Sequence, residues 1–476
     1  MLFSLVLGAS LLSPASSQAL TSSQLSLVTQ RLADAAKLSW EIGTRAQALT
    51  ELDAHSLSVF STVPPPTSIP SNVTAGIAPV LSIAHNIVSA LNSSGNGELV
   101  AGDGAAGDPA SIGVAVLLAN WTGQQGKDGL NYAAAAKNQL DFLLYNTPKT
   151  PDGAISHRVS QVQLWSDSVF MVPPFLAYYG VLTSNTSLIT EAYNQIKLYR
   201  NYLRDTNANN LWKHIVLGNN TNGGSLDEGH WSTGNGWAAA GMLRVLGTMK
   251  NSPYNKQFSN EQKDLKDWVK EIHGAMFSAL DSTNIFTNYA GESSGSPGMF
   301  YDAAATMLLA STVYRLAVVE DDHTYVANAE NCRRALFATV SPASSSPTPT
   351  STSPPAPSSS SGDVSSPSNS PSSSPSIAPS SSPLPTPTAS LDNLRHFTSD
   401  GWLTPVVNPH QFGIQGQESA EGQAFAVMFQ AAYNDWNAIG APGKNDKPKK
   451  GRGTQIHASF AFTLVSTLFG WTLLYF

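Results

Sequence analysis

The chain has 476 residues, 41% of them hydrophobic, enough for one large core or two smaller ones without disulfide staples. Its formal charge of −7, with no basic field over the body of the chain, argues against nucleic acid as a principal partner. The single cysteine excludes an intramolecular disulfide, and Cys332, with Ala329, Leu336 and Phe337 nearby, reads as a buried apolar thiol.

Residues 1–19 are apolar over 2–12 and then small and polar up to Ser17-Gln18-Ala19, which reads as a secretory signal peptide. Five N-x-S/T sequons, at Asn72, Asn92, Asn120, Asn185 and Asn219, fit a glycosylated secreted chain. Helical periodicity then predicts helices over 22–52, 75–92, 108–120, 130–145, 167–182, 187–204, 235–249, 260–280, 301–318, 324–339 and 419–435, and strand signals are scarce. Asn185-Thr186-Ser187 and Ser259-Asn260-Glu261 read as helix-start clusters, and Pro173-Pro174 suit the first turns of the helix after Asp167. Loops that alternate between short and long suggest paired antiparallel helices, which leaves a bundle, a superhelical array or a barrel open.

Residues 341–390 collapse to serine, proline and threonine, a composition that cannot repay the entropy of ordering and reads as a disordered, O-glycosylated spacer. Residues 391–436 are too few for a second stable core unless they pack back on the first. The expected organisation is therefore a signal peptide over 1–19, one domain from 20–340 and 391–437 interrupted by the spacer, and an anchor region over 438–476. A polar stretch over 444–457 precedes an uncharged apolar run over 458–476, the order of a glycosylphosphatidylinositol signal with Gly443 and Asn445 as attachment candidates; a retained span is the alternative.

Candidate chemistry gathers where loops meet helices. Trp165-Ser166-Asp167-Ser168-Val169-Phe170-Met171 sets one carboxylate among apolar neighbours at a helix start, where it is more tool than surface charge. Asp108 could be an N-cap carboxylate, the reading its own surroundings favour. His157 and His214 lie beside polar or aromatic residues and could equally be surface histidines. In Gly229-His230-Trp231-Ser232-Thr233-Gly234-Asn235-Gly236-Trp237, tryptophans beside polar groups suit sugar rings. Trp165 and Trp231 read as sugar wall and Trp237 as core; the glycines around Asn235 serve ligand access or a tight turn. Glu421, in Ser419-Ala420-Glu421-Gly422-Gln423-Ala424-Phe425, could be a second acid, because Gly422 stands where a capping box needs Glu or Gln.

These motifs, in this order, resemble the six-hairpin glycosidases, the unsaturated rhamnogalacturonyl hydrolases and unsaturated glucuronyl hydrolases of glycoside hydrolase families 105 and 88. The resemblance implies an all-α fold, an (α/α)6 barrel of six helical hairpins carrying the disordered insertion. It implies catalytic roles for Asp167, as general acid and base, and for Asp108, with Trp165, His157, His214, Trp231, Thr233, Asn235 and Trp237 in the substrate pocket. The family commonly has arginine at the position of Thr233. Ser419-Ala420-Glu421-Gly422-Gln423 resembles a segment of fungal members, which returns 391–436 to the barrel, and Asp302 matches a segment in which it is structural. The implied reaction is hydration of a 4,5-unsaturated uronyl sugar, with no cofactor and no metal, by an extracellular, cell-surface monomer whose partners are an oligosaccharide and, through its anchor, a membrane. Two alternatives stand beside it: an (α/α)6 glycosidase acting on saturated cell-wall glycans such as mannan, and a non-catalytic carbohydrate-binding wall protein. The adjacent aspartate pair of the mannan-processing enzymes is absent from the core, Asp321-Asp322 following an apolar helix away from the other motifs.

Overall fold

The computed structural model describes residues 19–62, 76–91, 97–221, 225–340, 391–408 and 411–449. The leader, the sequons at Asn72 and Asn92, the spacer and the apolar tail lie outside them.

Fourteen α-helices are described: α1 (Ser22–Ala35), α2 (Ser39–Asp53), α3 (Ala78–Ser89), α4 (Gly107–Ala110), α5 (Gly113–Trp121), α6 (Gln125–Asp128), α7 (Tyr132–Asp141), α8 (Ser168–Leu182), α9 (Thr186–Leu203), α10 (Ser232–Lys250), α11 (Ser259–Ala279), α12 (Ala303–Glu320), α13 (Val326–Leu336) and α14 (Ala420–Ala438). An inner ring runs α2, α4–α5, α8, α10, α12, α14 and back to α2, each member packing on the next. Outside it, α1, α3, α7, α9, α11 and α13 lie against ring members. This is the (α/α)6 barrel of six hairpins.

The two rings differ in sequence for a physical reason. Inner helices touch protein on every side: all of α10 is buried except Lys250, and in α8 only Tyr179 and Leu182 are not. Outer helices bury one stripe, as α9 does with Leu188, Ile189, Ala192, Tyr193, Ile196, Tyr199 and Leu203 at spacings of three and four. Helix α12 is apolar and long enough to cross a membrane, but 89% of that window is buried within the protein. Cys332 is fully buried on α13, and burial pushes its thiol up to about 12.

The helix expected over 22–52 is two helices. The Glu41 carboxylate accepts from the Lys37 and Leu38 amides, both at 2.9 Å, and so starts α2 afresh. Pro173 and Pro174 lie well inside α8. Pro174 has no N–H to offer the Phe170 carbonyl, and Arg244 of α10 donates to it instead at 2.8 Å, tying two ring helices together.

Short antiparallel strands join the helix ends at one mouth. β1 (Leu164–Trp165) pairs with β4 (Ile215–Val216) so that Trp165 faces Ile215, and β2 (Arg204–Asp205) pairs with β3 (Leu211–Trp212). β5 (Val406–Asn408) and β6 (Gln411–Gly416) form a bulged pair just ahead of α14. Helix α14 packs between α12 and α2, and at the opposite end of the ring Arg315 of α12 pairs with Glu51 of α2 at 2.9 Å and with Asp435 of α14.

Candidate active site

The loops before α4 and α8 are drawn together by backbone pairing. Ala105 bridges Arg158, the Ala106 amide donates to the His157 carbonyl at 2.7 Å, and the Ser166 amide donates to the His214 carbonyl at 2.8 Å. His214 in turn donates its amide to the Gly229 carbonyl at 2.9 Å, which carries the segment leading into α10 to the same place. Around this junction lies a cavity of about 290 Å³ walled by Asp108, Asp167 and Glu421, by His157 and Arg158, and by Trp40, Trp165, Trp231, Trp237, Phe412, Met171 and Ser225.

Asp167 occupies the N-cap position of α8 but makes no capping bond, and its Oδ1 is buried without a hydrogen-bond partner. Burial raises its carboxyl above the ordinary carboxylate range, opposed by His214 and the Ser168 amide. The N-cap of α4 is Ala106, so Asp108 is not the capping residue its sequence favoured. Its carboxyl is pushed well up by burial and then by the like charge of Asp167. Glu421, in the first turn of α14, accepts from Trp40 Nε1 at 2.7 Å, while its Oε2 is buried and unpartnered. Burial and Glu41 raise it to about 8.

Aromatic rings complete the wall. His157 stacks on Trp165 with centroids 4.4 Å apart and an interplanar angle of 20°; its Nδ1 meets Ser168 Oγ at 2.7 Å and its Nε2 lies 3.9 Å from Asp108 Oδ1. Burial and the neighbouring Arg158 hold His157 well below its ordinary value, so the ring is neutral. His214 packs on Trp231 at 4.3 Å and edge-on to Phe412 at 4.5 Å. Its Nδ1 bonds Asp227 Oδ2 at 2.9 Å, Tyr289 donates to the same oxygen at 2.6 Å, and its Nε2 is buried without a partner.

The structure thus brings Asp108, His157, Trp165, Asp167, Trp231 and Trp237 to one cavity, with His214 packed behind Trp165 and Trp231. Trp237 lines the cavity and is also core, lying between Phe170 and Phe425. Thr233 and Asn235 are fully buried and outside the cavity wall. Thr233 Oγ1 donates to Asp302 Oδ2 at 3.3 Å, and Asp302 caps α12 through the amides of Ala304 and Ala305, the structural role expected of it. Asn235 bonds the amide and carbonyl of Trp212 and the carbonyl of Trp231. Its flanking glycines serve neither ligand access nor a turn: a Cβ at Gly234 would stand 2.3 Å from Ser166 Oγ, and one at Gly236 would stand 2.9 Å from Leu308.

Trp40, Arg158 and Phe412 escaped sequence reasoning. Phe412 comes from a strand without clear alternation, and Trp40 from an inner-ring helix of mostly polar and small residues with no marked apolar stripe. Arg158 follows a singled-out histidine, and that adjacency was the available signal.

The model of Glycosyl Hydrolase Family 88 matches residues 109–328. No curated protein matches the chain. Among solved structures, a possible member of the GH105 family from Salmonella enterica is similar at 15% identity and a TM-score of 0.56, over 86% of this chain and 92% of that one. A glycosyl hydrolase family 88 protein from Bacteroides vulgatus follows at 12%, 0.53, 87% and 99%. An unsaturated glucuronyl hydrolase specific for heparin is similar at 11%, 0.51, 87% and 97%. The matched segment runs from the end of α4 to the first turn of α13 and, with the barrel, marks the chain as a glycoside hydrolase.

Proposed function

We propose that the protein hydrates the 4,5-unsaturated uronyl ring at the end of an oligosaccharide of the rhamnogalacturonan type, with Asp167 as general acid and base. The observation that carries this reading is the unspent Asp167 carboxyl: buried in the cavity wall, free of a capping bond and shifted toward its protonated form. In that form it donates a proton to C4 of the enol ether. As a carboxylate it then takes one from the water that adds at C5, and the hemiketal opens and expels the neighbouring sugar. Asp108 is itself held toward its neutral form by burial and by Asp167, and Trp165, Trp231 and Phe412 give the ring apolar walls. The unsaturated glucuronyl hydrolase among the similar folds supports the substrate class.

A secretory route fits the same picture, since the described sequons Asn120, Asn185 and Asn219 are all exposed. An anchor at the apolar tail would then hold the enzyme at the cell surface. The test of the chemistry is a panel of unsaturated uronyl disaccharides followed by loss of the double-bond absorbance. Asp167→Asn should lower kcat by about two to four orders of magnitude with the fold intact. Near-normal turnover in that variant would overturn the assignment.

A further inference from the structure

Three carboxyl groups line the cavity, and Arg158 is the one permanently charged cation among its described lining residues. Burial holds those carboxyls toward their neutral forms, which leaves Arg158 as the charged group that an anionic sugar entering this space would meet. Arg158 is held for such a task. Its backbone bridges Ala105, the Val159 amide donates to the Gly104 carbonyl at 3.1 Å, and Ser156 Oγ bonds both the Arg158 carbonyl and amide, at 2.7 and 3.1 Å. The guanidinium carbon stands 6.0 Å from the centre of the Trp165 ring.

Like Arg244, Arg158 makes no ion pair among the described residues, but of the two only Arg158 lines the cavity. Arg315 pairs with Glu51 and Asp435, Arg333 with Glu330, and Arg200 with Glu271. No described carboxylate lies within ion-pair distance of Arg158, and its Nε is buried without a hydrogen-bond partner. A buried donor left unmade is costly, whereas a planar carboxylate can satisfy two guanidinium N–H groups at once. Thr233 offers no charge to compete, being buried against Asp302.

We propose that Arg158 binds the carboxylate of the substrate's uronyl ring while that ring lies against Trp165, so that Arg158 sets the preference for acidic over neutral sugars. The inference rests on the hydration reading for its substrate class. Arg158 acts as an orienting group that holds the ring by its carboxylate beside Asp167.

The test compares the full chain with Arg158→Ala and Arg158→Lys in two measurements. In calorimetric binding, glucuronate and its methyl ester serve as probes that require no turnover. Wild type should bind the acid at least about tenfold more tightly than the ester, one charge-assisted contact's worth. Arg158→Ala should abolish that preference while leaving ester affinity and Tm unchanged, and Arg158→Lys should restore part of it. In turnover of an unsaturated uronyl disaccharide, Arg158→Ala should raise KM more than it lowers kcat. Absence of the preference in wild type, or its persistence in Arg158→Ala, overturns the carboxylate site even if unsaturated disaccharides are hydrated. An Arg158-dependent preference without any such hydration upholds the site and overturns the hydration reading.

Discussion

Glu421 is a buried acid whose one oxygen is bonded to Trp40 and whose other has no partner, so the fold favours its neutral form. Its folded value of about 8 lies above the ordinary glutamate value of 4.5, so the native state holds a proton that the unfolded chain releases. Its contribution is fully present below pH 4.5 and is lost as pH rises toward 8. Glu421→Gln should therefore gain Tm relative to wild type as pH is raised across that window; a constant Tm difference from pH 5 to 8 would show that Glu421 is not held neutral. Much of this residue-scale picture was legible, because Trp165, Asp167 and His157 lie close in sequence and their motif survives as a cluster. The partners that complete it, Trp40 and Phe412, join from more than a hundred positions away through the closed ring, and no local pattern encodes that meeting. Asn235 misled for the opposite reason: its polar setting between glycines looked like a pocket and proved to be close helix packing.

Arg315 is the element-scale counterpart, a buried cation on α12 that holds α2 and α14 through Glu51 and Asp435. Removing one partner strands the others, so Arg315→Ala should cost about 3–5 kcal/mol in denaturant unfolding. A loss under about 1 kcal/mol would mean that these three helices are held by apolar packing alone. The hydroxyl of Ser419 accepts from the Gly422 amide at 3.0 Å at the start of α14, and Ser419→Ala should cost about 1 kcal/mol by the same measurement. The helices were legible from periodicity because each outer one buries a single stripe. The break between α1 and α2 was not, since a glutamate inside the next helix makes it and apolar spacing runs on across Leu38. The β5–β6 pair was invisible because Gln411–Gly416 is largely exposed and has no alternating apolar face.

At the scale of the molecule, the flanks of the serine-rich stretch meet. Thr339 bridges Leu394, the Val340 amide donates to the Asn393 carbonyl at 3.0 Å, and the Arg395 amide donates to the Ala338 carbonyl at 2.9 Å. A short flexible linker replacing 341–390 should therefore leave Tm and activity nearly unchanged, since loop length costs only about 0.6 kcal/mol per doubling. A chain stopped at Val340 should lose both, because it lacks Phe412, Glu421 and the helix between α12 and α2. Full activity in that truncated chain would refute the one-domain reading. That closing helix also has a temporal consequence. Helices α1 and α2 pack on α14, and the Leu20 amide donates to Gln430 Oε1 at 3.2 Å, so the first elements made wait for the last. At about 5–20 residues per second, the about 385 residues from Asp53 to Ala438 take roughly 20–80 s to emerge from the ribosome. Through that interval Val28 and Leu32 of α1, buried in the finished barrel, lack the cover of α14, a window in which a nascent-chain chaperone would find its binding surface.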